Sequence, residues 1–333
     1  MKRTPSTVRL VTTLIVCLAG CGQDLAEPIG EPIIIDGSST VFRISRAAQE
    51  AYDEVEPGVE VNVNQHGTGG GFGAYLRNEV DIIDASRPAK PSEQKAARKA
   101  KLDWTRFYVG YDGVTLAVNP ANTFVKSLSV AQLKRLWEPD SSVKTWNDLD
   151  PTWPDREIVL YSPDKDSGTF DFFTEVIVGK ARAQRRDVQG SPDDNTLVQG
   201  VAGDPDALGY FGYAYYAANA SRLRAVAIEA EPGSTPVLPS DDTILDKTYS
   251  PLSRRLYIYV KNRSLKRPEV VGFLTYYLEH IADLAKVGGY VPPTADDQAA
   301  NRLALPKVKV KAKVKVKARP TKSAAKPEEA ATS

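Results

Sequence analysis

The sequence is poor in the residues that bind metals and form disulfides, with only two cysteines and two histidines in 333 residues. Cys17 lies in an N-terminal segment that reads as a cleavable leader, so the processed chain would keep only Cys21 and form no internal disulfide. His66 and His280 are far apart, and the calcium-binding EF-hand pattern is absent. We therefore expect no thiol nucleophile, no metal site and no cofactor.

Complete catalytic and nucleotide-binding motifs are also lacking. The glycine run at 67–73 has no Gly-Lys-Ser/Thr ending, and Phe72 stands where a dinucleotide fingerprint needs its last glycine. The Asp-Ser-Gly of residues 166–168 resembles half of an aspartic protease site, but that chemistry needs two such carboxylates sharing a proton. No Gly-x-Ser-x-Gly nucleophile elbow occurs. These gaps predict that the protein is not an enzyme.

The net charge of +1 conceals an uneven distribution along the chain. Residues 307–333 carry nine Lys or Arg and two Glu, residues 1–20 carry +3, and the body between them carries −9. An acidic body argues against nucleic-acid binding. Any anion site in this body must therefore depend on local hydrogen bonds and helix dipoles.

The N-terminus is predicted to be an export signal. Three basic residues accompany an apolar segment at 10–18 that is too short to span a bilayer. Leu18-Ala19-Gly20-Cys21 then matches the bacterial lipobox. We expect residues 1–20 to be a lipoprotein signal peptide, Cys21 to be acylated and residues 21–31 to be a tether. The protein would be exported and lipid-anchored in the periplasm or on the cell surface.

The body of the chain alternates strand patterns with helix patterns, which is typical of a mostly parallel sheet in an α/β fold. Strand-like runs lie at 33–36, 59–65, 80–84, 107–111, 114–118, 157–161 and 256–260. Helical patterns lie at 41–54, 72–78, 130–137, 170–178 and 268–285. Residues 301–333 form a Lys-rich low-complexity tail. This composition favours a solvated linker over electrostatic attachment to a membrane or wall polymer.

Three of the apolar runs end in loops of Ser, Thr and Gly that open into predicted helices. The loops lie in 33–41 (IIIDGSSTV), in 67–71 (GTGGG) and in 166–169 (DSGT). Each offers free backbone N–H groups, a short hydroxyl and the positive end of a helix dipole. Three such loops in one chain predict a single tetrahedral oxyanion held from several sides.

A fourth segment, 84–88 (DASRP), places Arg87 just after another strand. A surface position is the ordinary interpretation of such a residue. Near three hydroxyl-bearing loops, however, Arg87 would be the single guanidinium that clamps the anion, because guanidinium groups bind phosphate oxygens in pairs.

These segments together resemble the PstS-type phosphate-binding protein family of bacterial phosphate ABC transporters. The resemblance is carried, in the same chain order, by residues 35–41, 67–72, 85–88, 166–170 and 207–211. It covers about 31–300 and implies a type II periplasmic binding protein fold with two lobes, two hinge crossover strands and the ligand in the interlobe cleft. We expect lobe I at 32–112 plus 256–300 and lobe II at 113–255, with hinge crossings at 111–114 and 255–258.

The resemblance also implies the ligand contacts. From the three loops these are Ser39, Thr40, Val41, Thr68, Gly69, Ser167, Gly168 and Thr169, and Ser86 and Arg87 join them from the fourth segment. A well-known branch of the family has Ala-Ser-Asp where this chain has Ala85-Ser86-Arg87, and it has an Arg at the position of Pro163. One basic and one acidic role would therefore have exchanged places. Asp166 is the candidate carboxylate that accepts the proton of phosphate and repels sulfate.

The function implied by the resemblance is high-affinity binding of inorganic phosphate and delivery to a membrane transporter. The partners would be phosphate, the permease and ATPase subunits, and the membrane through the N-terminal lipid. Three alternatives stay open: a receptor for another oxyanion such as sulfate or molybdate, a surface attachment protein that uses the basic tail, and an enzyme acting on phosphate esters.

Overall fold

The computed structural model describes residues 29–165 and 167–306 of the chain. The predicted signal peptide, Cys21, Asp166 and most of the predicted tail lie outside this range. No helix within the described ranges is both long and apolar enough to cross a membrane.

The strands supply one large mixed sheet and a small two-stranded one. They are β1 (Ile33–Gly37), β2 (Val61–Val63), β3 (Ile82–Ala85), β4 (Trp104–Val118), β5 (Ser127–Ser129), β6 (Val159–Pro163), β7 (Gln189–Ser191), β8 (Ala207–Gly212), β9 (Arg224–Ala225), β10 (Ala227–Glu229) and β11 (Ser253–Lys261).

The helices cover both faces of the large sheet. They are α1 (Ser39–Asp53), α2 (Gly67–Leu76), α3 (Pro91–Lys99), α4 (Val130–Trp137), α5 (Trp146–Leu149), α6 (Gly168–Phe173), α7 (Asp194–Gly203), α8 (Tyr213–Ala218), α9 (Asp241–Leu245), α10 (Pro268–Glu279), α11 (Ile281–Val287) and α12 (Ala295–Ala304). A π-helical turn (Thr174–Val178) extends α6, and a 3₁₀ turn (Ser264–Lys266) precedes α10.

The large sheet has the order β2-β1-β3-β11-β4-β8-β6-β7, with β9 also paired to β4. Strand β4 crosses its middle: its first part pairs antiparallel with β11, and its last part, from Val114 onward, pairs antiparallel with β8. On either side of this crossing, β1 pairs parallel with β2 and β3, and β6 pairs parallel with β7 and β8. Two lobes therefore share the paired strands β4 and β11, and parallel strands direct their carboxyl ends toward the junction.

Each lobe has its own buried core. In the first, α1, α10 and α11 pack on β1, β4 and β11 around side chains such as Ile35, Ile44 and Phe273. In the second, Trp137 and Phe173 both contact Tyr210, Phe173 stacking on it with ring centroids 3.8 Å apart. Burial of aromatic side chains is a large share of such a core's stability. The loops at the lobe junction are therefore held by two rigid frames.

Several predicted elements differ from those observed. The two runs at 107–111 and 114–118 form one continuous strand, β4, and the single predicted helix at 268–285 is two helices divided at His280. The predicted glycine loop is itself the first turn of α2. A Cβ on Gly71 would lie 2.6 Å from the carbonyl oxygen of Asp36, so this glycine lets α2 pack directly on β1. Helix α12 runs to Ala304, inside the range predicted as tail.

Strand β3 carries a buried acid that gives the fold a testable pH dependence. The Asp84 Oδ1 atom accepts a hydrogen bond of 2.8 Å from the Ser45 hydroxyl, which also lies 2.9 Å from the Tyr277 hydroxyl. Its Oδ2 atom is buried and has no hydrogen-bond partner among the described residues. Burial, reinforced by the charge of Asp36, raises the pKa of Asp84 to about 8 despite the bond from Ser45.

We expect the stability of the wild-type protein to fall as pH rises. The Asp84→Asn variant should not show this fall. Between the ordinary aspartate pKa of 3.8 and the raised pKa of about 8, folded Asp84 keeps a proton that the unfolded chain releases. The free energy of unfolding therefore falls with pH in this window, by at most about 1.4 kcal/mol per pH unit, and levels off above it. Urea unfolding at pH 5 and pH 8 measures the effect. Exposed Asp140→Asn is the matched control, and an equal pH slope in Asp84→Asn and wild type would contradict the assignment.

Candidate functional site

The first loop becomes the N-terminus of α1, with Ser38 as its capping residue. The Ser38 hydroxyl accepts long hydrogen bonds from the backbone N–H groups of Thr40 (3.2 Å) and Val41 (3.5 Å). Ser38 and Thr40 are buried, and Ser39 is partly exposed at the lobe junction. Because α1 is 15 residues long, its dipole places partial positive charge at this loop.

The second loop lies beside the first and is fixed to it by Asp36. Asp36 Oδ1 accepts hydrogen bonds from the backbone N–H groups of Gly37 (2.7 Å) and His66 (3.0 Å), and its Oδ2 lies 2.9 Å from His66 Nδ1. The Thr68 hydroxyl accepts a bond of 3.2 Å from the Ser86 backbone N–H. These contacts hold the N-terminus of α2 against both the end of β1 and the segment after β3.

Arg87 lines the cleft between the two lobes, but its guanidinium is already bound to a carboxylate. Its Nη1 and Nη2 atoms donate to the two oxygens of Glu93 at 2.9 and 2.8 Å, and the group lies 5.8 Å from the centre of the Phe72 ring. Although burial raises the pKa of Glu93, the bonds from Arg87 and the Lys90 backbone lower it overall. The role of Arg87 as an anion clamp stays a prediction.

The third loop comes from the second lobe and contacts the first. The Ser167 hydroxyl caps α6 by accepting a bond of 3.2 Å from the Thr169 backbone N–H. A Cβ placed on Gly168 would lie 2.3 Å from Thr40 Oγ1 and 2.8 Å from Ser39 Oγ. The third loop therefore reaches the tip of α1 because residue 168 has no side chain.

A guanidinium that was not predicted from the sequence joins the two lobes, that of Arg254 on β11. Its Nη2 donates to Thr40 Oγ1 at 2.7 Å, to Asp112 Oδ2 at 2.9 Å and to the Gly168 carbonyl oxygen at 3.2 Å. The group stacks on Phe172, 3.9 Å from the ring centre. The first loop, the third loop and both crossing strands therefore meet at one cation, and the cleft holds more than the single guanidinium that we expected.

Asp112 positions this cation from the neighbouring strand. The register of β4 and β11 sets Asp112 directly opposite Arg254, and the carboxylate is almost completely buried. Its Oδ2 accepts both Arg254 bonds, whereas its buried Oδ1 has no partner in the part of the chain that the structure describes. A buried carboxylate opposite an arginine both orients the guanidinium and offsets its charge.

A cleft of about 590 Å³ lies between the two lobes at this junction. Seven of the predicted contact residues line it: Ser39, Thr40, Thr68, Gly69, Ser86, Arg87 and Gly168. Val41, Ser167 and Thr169 lie beside them in the first turns of α1 and α6. The structure thus brings together the described members of the predicted set, while their individual roles in binding stay predictions.

The sequence contained one signal for the missed cation. Two arginines, Arg254 and Arg255, directly precede the strand predicted at 256–260, and Arg255 begins the predicted hinge crossing at 255–258. Whether either faces the cleft depends on the register of β11 against β4, and a shift of one residue would turn the side chains to the opposite face. Among the described residues, no group of three or more His, Cys, Asp and Glu could hold a metal ion.

Comparison with known proteins gives a consistent set of matches. The model of the PBP superfamily domain matches residues 22–280. The protein SphX of Synechocystis sp. is 40% identical over 287 residues, which cover 85% of this chain and 85% of that protein. The phosphate-binding protein PstS of Staphylococcus haemolyticus is 38% identical over 257 residues, covering 77% of this chain and 79% of its own.

Two solved structures match with similar coverage. A possible phosphate-binding protein from Planctomyces limnophilus is 42% identical with a TM-score of 0.80, covering 83% of this chain and 98% of its own. A phosphate ABC transporter substrate-binding protein from Clostridium perfringens, solved with bound phosphate, is 25% identical with a TM-score of 0.56. That match covers 79% of this chain and 100% of its own.

Proposed function

This chain belongs to the PBP superfamily and, within it, to the PstS-type phosphate-binding proteins, and on that basis we propose that it is a receptor for inorganic phosphate. It binds phosphate with high affinity between its lobes and delivers it to a membrane ABC transporter. This family is a class of transporter substrate-binding proteins and not a class of enzymes. The observation that carries the proposal is the meeting of Thr40, Gly168 and Asp112 at the Arg254 guanidinium.

The chemistry of this junction suits a tetrahedral oxyanion. The first and third loops present hydroxyl groups and helix N-termini from opposite lobes. Arg254 supplies a charge-assisted donor, and such bonds contribute roughly 1.5–3 kcal/mol each. A few of them, together with neutral hydrogen bonds, suffice for micromolar binding, about −8 kcal/mol. We propose that a phosphate oxygen accepts hydrogen bonds from Arg254 Nη2 in place of those that Thr40 Oγ1 and the Gly168 carbonyl oxygen accept in this structure.

Selectivity between phosphate and sulfate would come from a carboxylate close to the bound anion. Near neutral pH phosphate keeps at least one proton and sulfate keeps none, so a nearby negative charge disfavours sulfate. Among the residues that the structure describes, we propose Asp112 as this carboxylate, because it is buried beside Arg254 and its Oδ1 atom has no hydrogen-bond partner there. Asp166, the candidate from the sequence, lies outside the described residues.

We expect Asp112→Asn to raise the ratio of sulfate affinity to phosphate affinity by about tenfold, a change of roughly 1.4 kcal/mol. The variant leaves the charge of Arg254 uncompensated, which favours an anion without a proton. Calorimetric titration with phosphate, sulfate and molybdate measures the ratio, with Asp166→Asn as the parallel variant and exposed Asp140→Asn as the control. An unchanged ratio in Asp112→Asn would remove Asp112 from selectivity. Tighter binding of sulfate than phosphate by the wild type would contradict the proposed function.

Membership in this family indicates an exported protein. We propose further that Cys21 is acylated after removal of residues 1–20, and that the lipid anchors the receptor to a membrane near the permease and ATPase subunits. The lipobox of the sequence supports this proposal. We also propose that lobe I comprises 32–112 plus 256–300 and lobe II comprises 113–255, with residues 21–31 as the tether.

We expect mass spectrometry of the protein from its native membrane to find Cys21 as the acylated first residue. A Cys21→Ser variant should lose the acyl mass and leave the membrane fraction, because the modified thiol is absent. A native chain that starts at another residue, or one without acyl mass, would contradict the anchor and leave the phosphate site unaffected.

A further inference from the structure

The cleft extends well beyond the loops that converge on Arg254. The tips of α1, α2 and α6 line one part of it, which we call the inner end. A second set of residues from both lobes lines the rest, which we call the outer cleft: Lys90, Glu175, Val176, Lys247, Arg255 and Tyr257. A volume of about 590 Å³ falls within the range of clefts that hold multi-atom ligands, roughly 300–1,000 Å³. A single orthophosphate would fill only the inner end.

The outer part of the cleft is rich in cations. Lys90 stands at the start of α3 in the first lobe, and Lys247 follows α9 in the second. Both side chains are exposed, and neither ammonium group forms a salt bridge within residues 29–165 and 167–306. These two lysines thus line the cleft from different lobes, and neither ammonium group is held in a salt bridge among the described residues.

Arg255 contributes a third, more rigid cation. Its guanidinium donates to the Tyr111 hydroxyl at 2.7 and 3.0 Å, lies 3.4 Å from Asp297, and stacks 4.7 Å from the centre of the Tyr108 ring. Two carboxylates line the opposite wall. Glu175 is exposed, and Asp171 is paired with Arg182. Arg255 and Asp171 are each offset by an ion pair, so Lys90 and Lys247 against Glu175 leave the outer cleft with a small positive excess in a body that carries −9.

We propose that the outer cleft is a second anion subsite, and that the protein also binds pyrophosphate and short linear polyphosphates with one phosphoryl group at Arg254 and the next between Lys90 and Lys247. This inference rests on the proposed phosphate site at the inner end. Lysine ammonium groups on flexible stems suit a phosphoryl group whose position varies with chain length. An orthophosphate held at Arg254 has no second phosphoryl group to place between them, so the two lysines would distinguish the two ligands.

The test is a pair of calorimetric titrations, one with orthophosphate and one with pyrophosphate. Methylenediphosphonate serves as a probe that cannot release orthophosphate. We expect wild-type protein to bind all three and pyrophosphate to displace orthophosphate. The variant Lys90→Gln/Lys247→Gln should lose about tenfold in affinity for pyrophosphate and methylenediphosphonate, and should keep its affinity for orthophosphate within about twofold. Lys286→Gln, an exposed lysine outside the cleft, is the control.

The outcomes separate this inference from the proposed function. Binding of orthophosphate without binding of either two-phosphoryl probe would overturn the second subsite alone, and so would equal losses for all ligands in the double variant. Failure of the wild type to bind orthophosphate would overturn the proposed function itself. Both substitutions are at exposed positions, and the single variants Lys90→Gln and Lys247→Gln measure each wall separately.

Discussion

Arg254→Ala is expected to lower the phosphate affinity by about 2–5 kcal/mol, the loss typical of a buried charge pair that is deprived of one partner. Arg254 is the cation at which Thr40, Asp112 and Gly168 meet, so its removal takes away the charge nearest to the anion. Arg254→Lys should recover only part of the loss, because an ammonium group lacks the planar fork of donors. Calorimetric titration measures both variants.

The matched comparison is Arg87→Ala, which tests the cation that the sequence favoured. Because both terminal nitrogens of Arg87 are bound to Glu93, we expect its loss to weaken phosphate binding less than the loss of Arg254. Thermal unfolding without phosphate checks that each variant is folded, which matters because Arg254→Ala leaves Asp112 buried without its partner. A larger loss of affinity in Arg87→Ala than in Arg254→Ala would reverse the assignment.

Gly168→Ala is expected to weaken phosphate binding by roughly a hundredfold or more, about 2.7 kcal/mol. The new Cβ would lie 2.3 Å from Thr40 Oγ1 and 2.7 Å from the Thr40 backbone nitrogen, much closer than real Cβ atoms come to their neighbours. The third loop would then be displaced from α1, and one phosphate would no longer contact both lobes.

The control for this prediction is Gly190→Ala on β7 in the same lobe, where an added Cβ meets nothing within 4 Å. Both variants should unfold at similar temperatures without phosphate. Only Gly190→Ala should retain the thermal stabilisation that a bound ligand gives. Wild-type affinity in Gly168→Ala would show that contact between the two loops is not part of binding.

The sequence was most informative where chemistry is local. The Ser-Thr-Gly loops mark helix N-termini because hydroxyl groups cap backbone N–H groups a few residues away, and Ser38 and Ser167 do so. The order of these loops along the chain also indicated the family and its fold. These are signals within single segments, and they need no knowledge of how the strands pair.

The missed features depend on contacts between distant segments. Arg254 meets Asp112 through strand register, over 142 residues of sequence separation. Arg87 was predicted to clamp the anion, but Glu93, six residues later in the first turn of α3, binds its guanidinium. The glycines at 67–71 were interpreted as a loop, although the segment is the start of α2 and Gly71 lets that helix pack closely on β1. In each case tertiary contacts override what the local pattern indicates.

The central claim is that one phosphate ion binds between the two lobes at Arg254. It is tested most directly by calorimetric titration of phosphate-free protein with orthophosphate at neutral pH, repeated with Arg254→Ala. We expect one phosphate per chain with micromolar or tighter affinity in the wild type, and a loss of about 30-fold or more in the variant. Absence of binding to the wild type, or equal affinity in the two proteins, would contradict the claim.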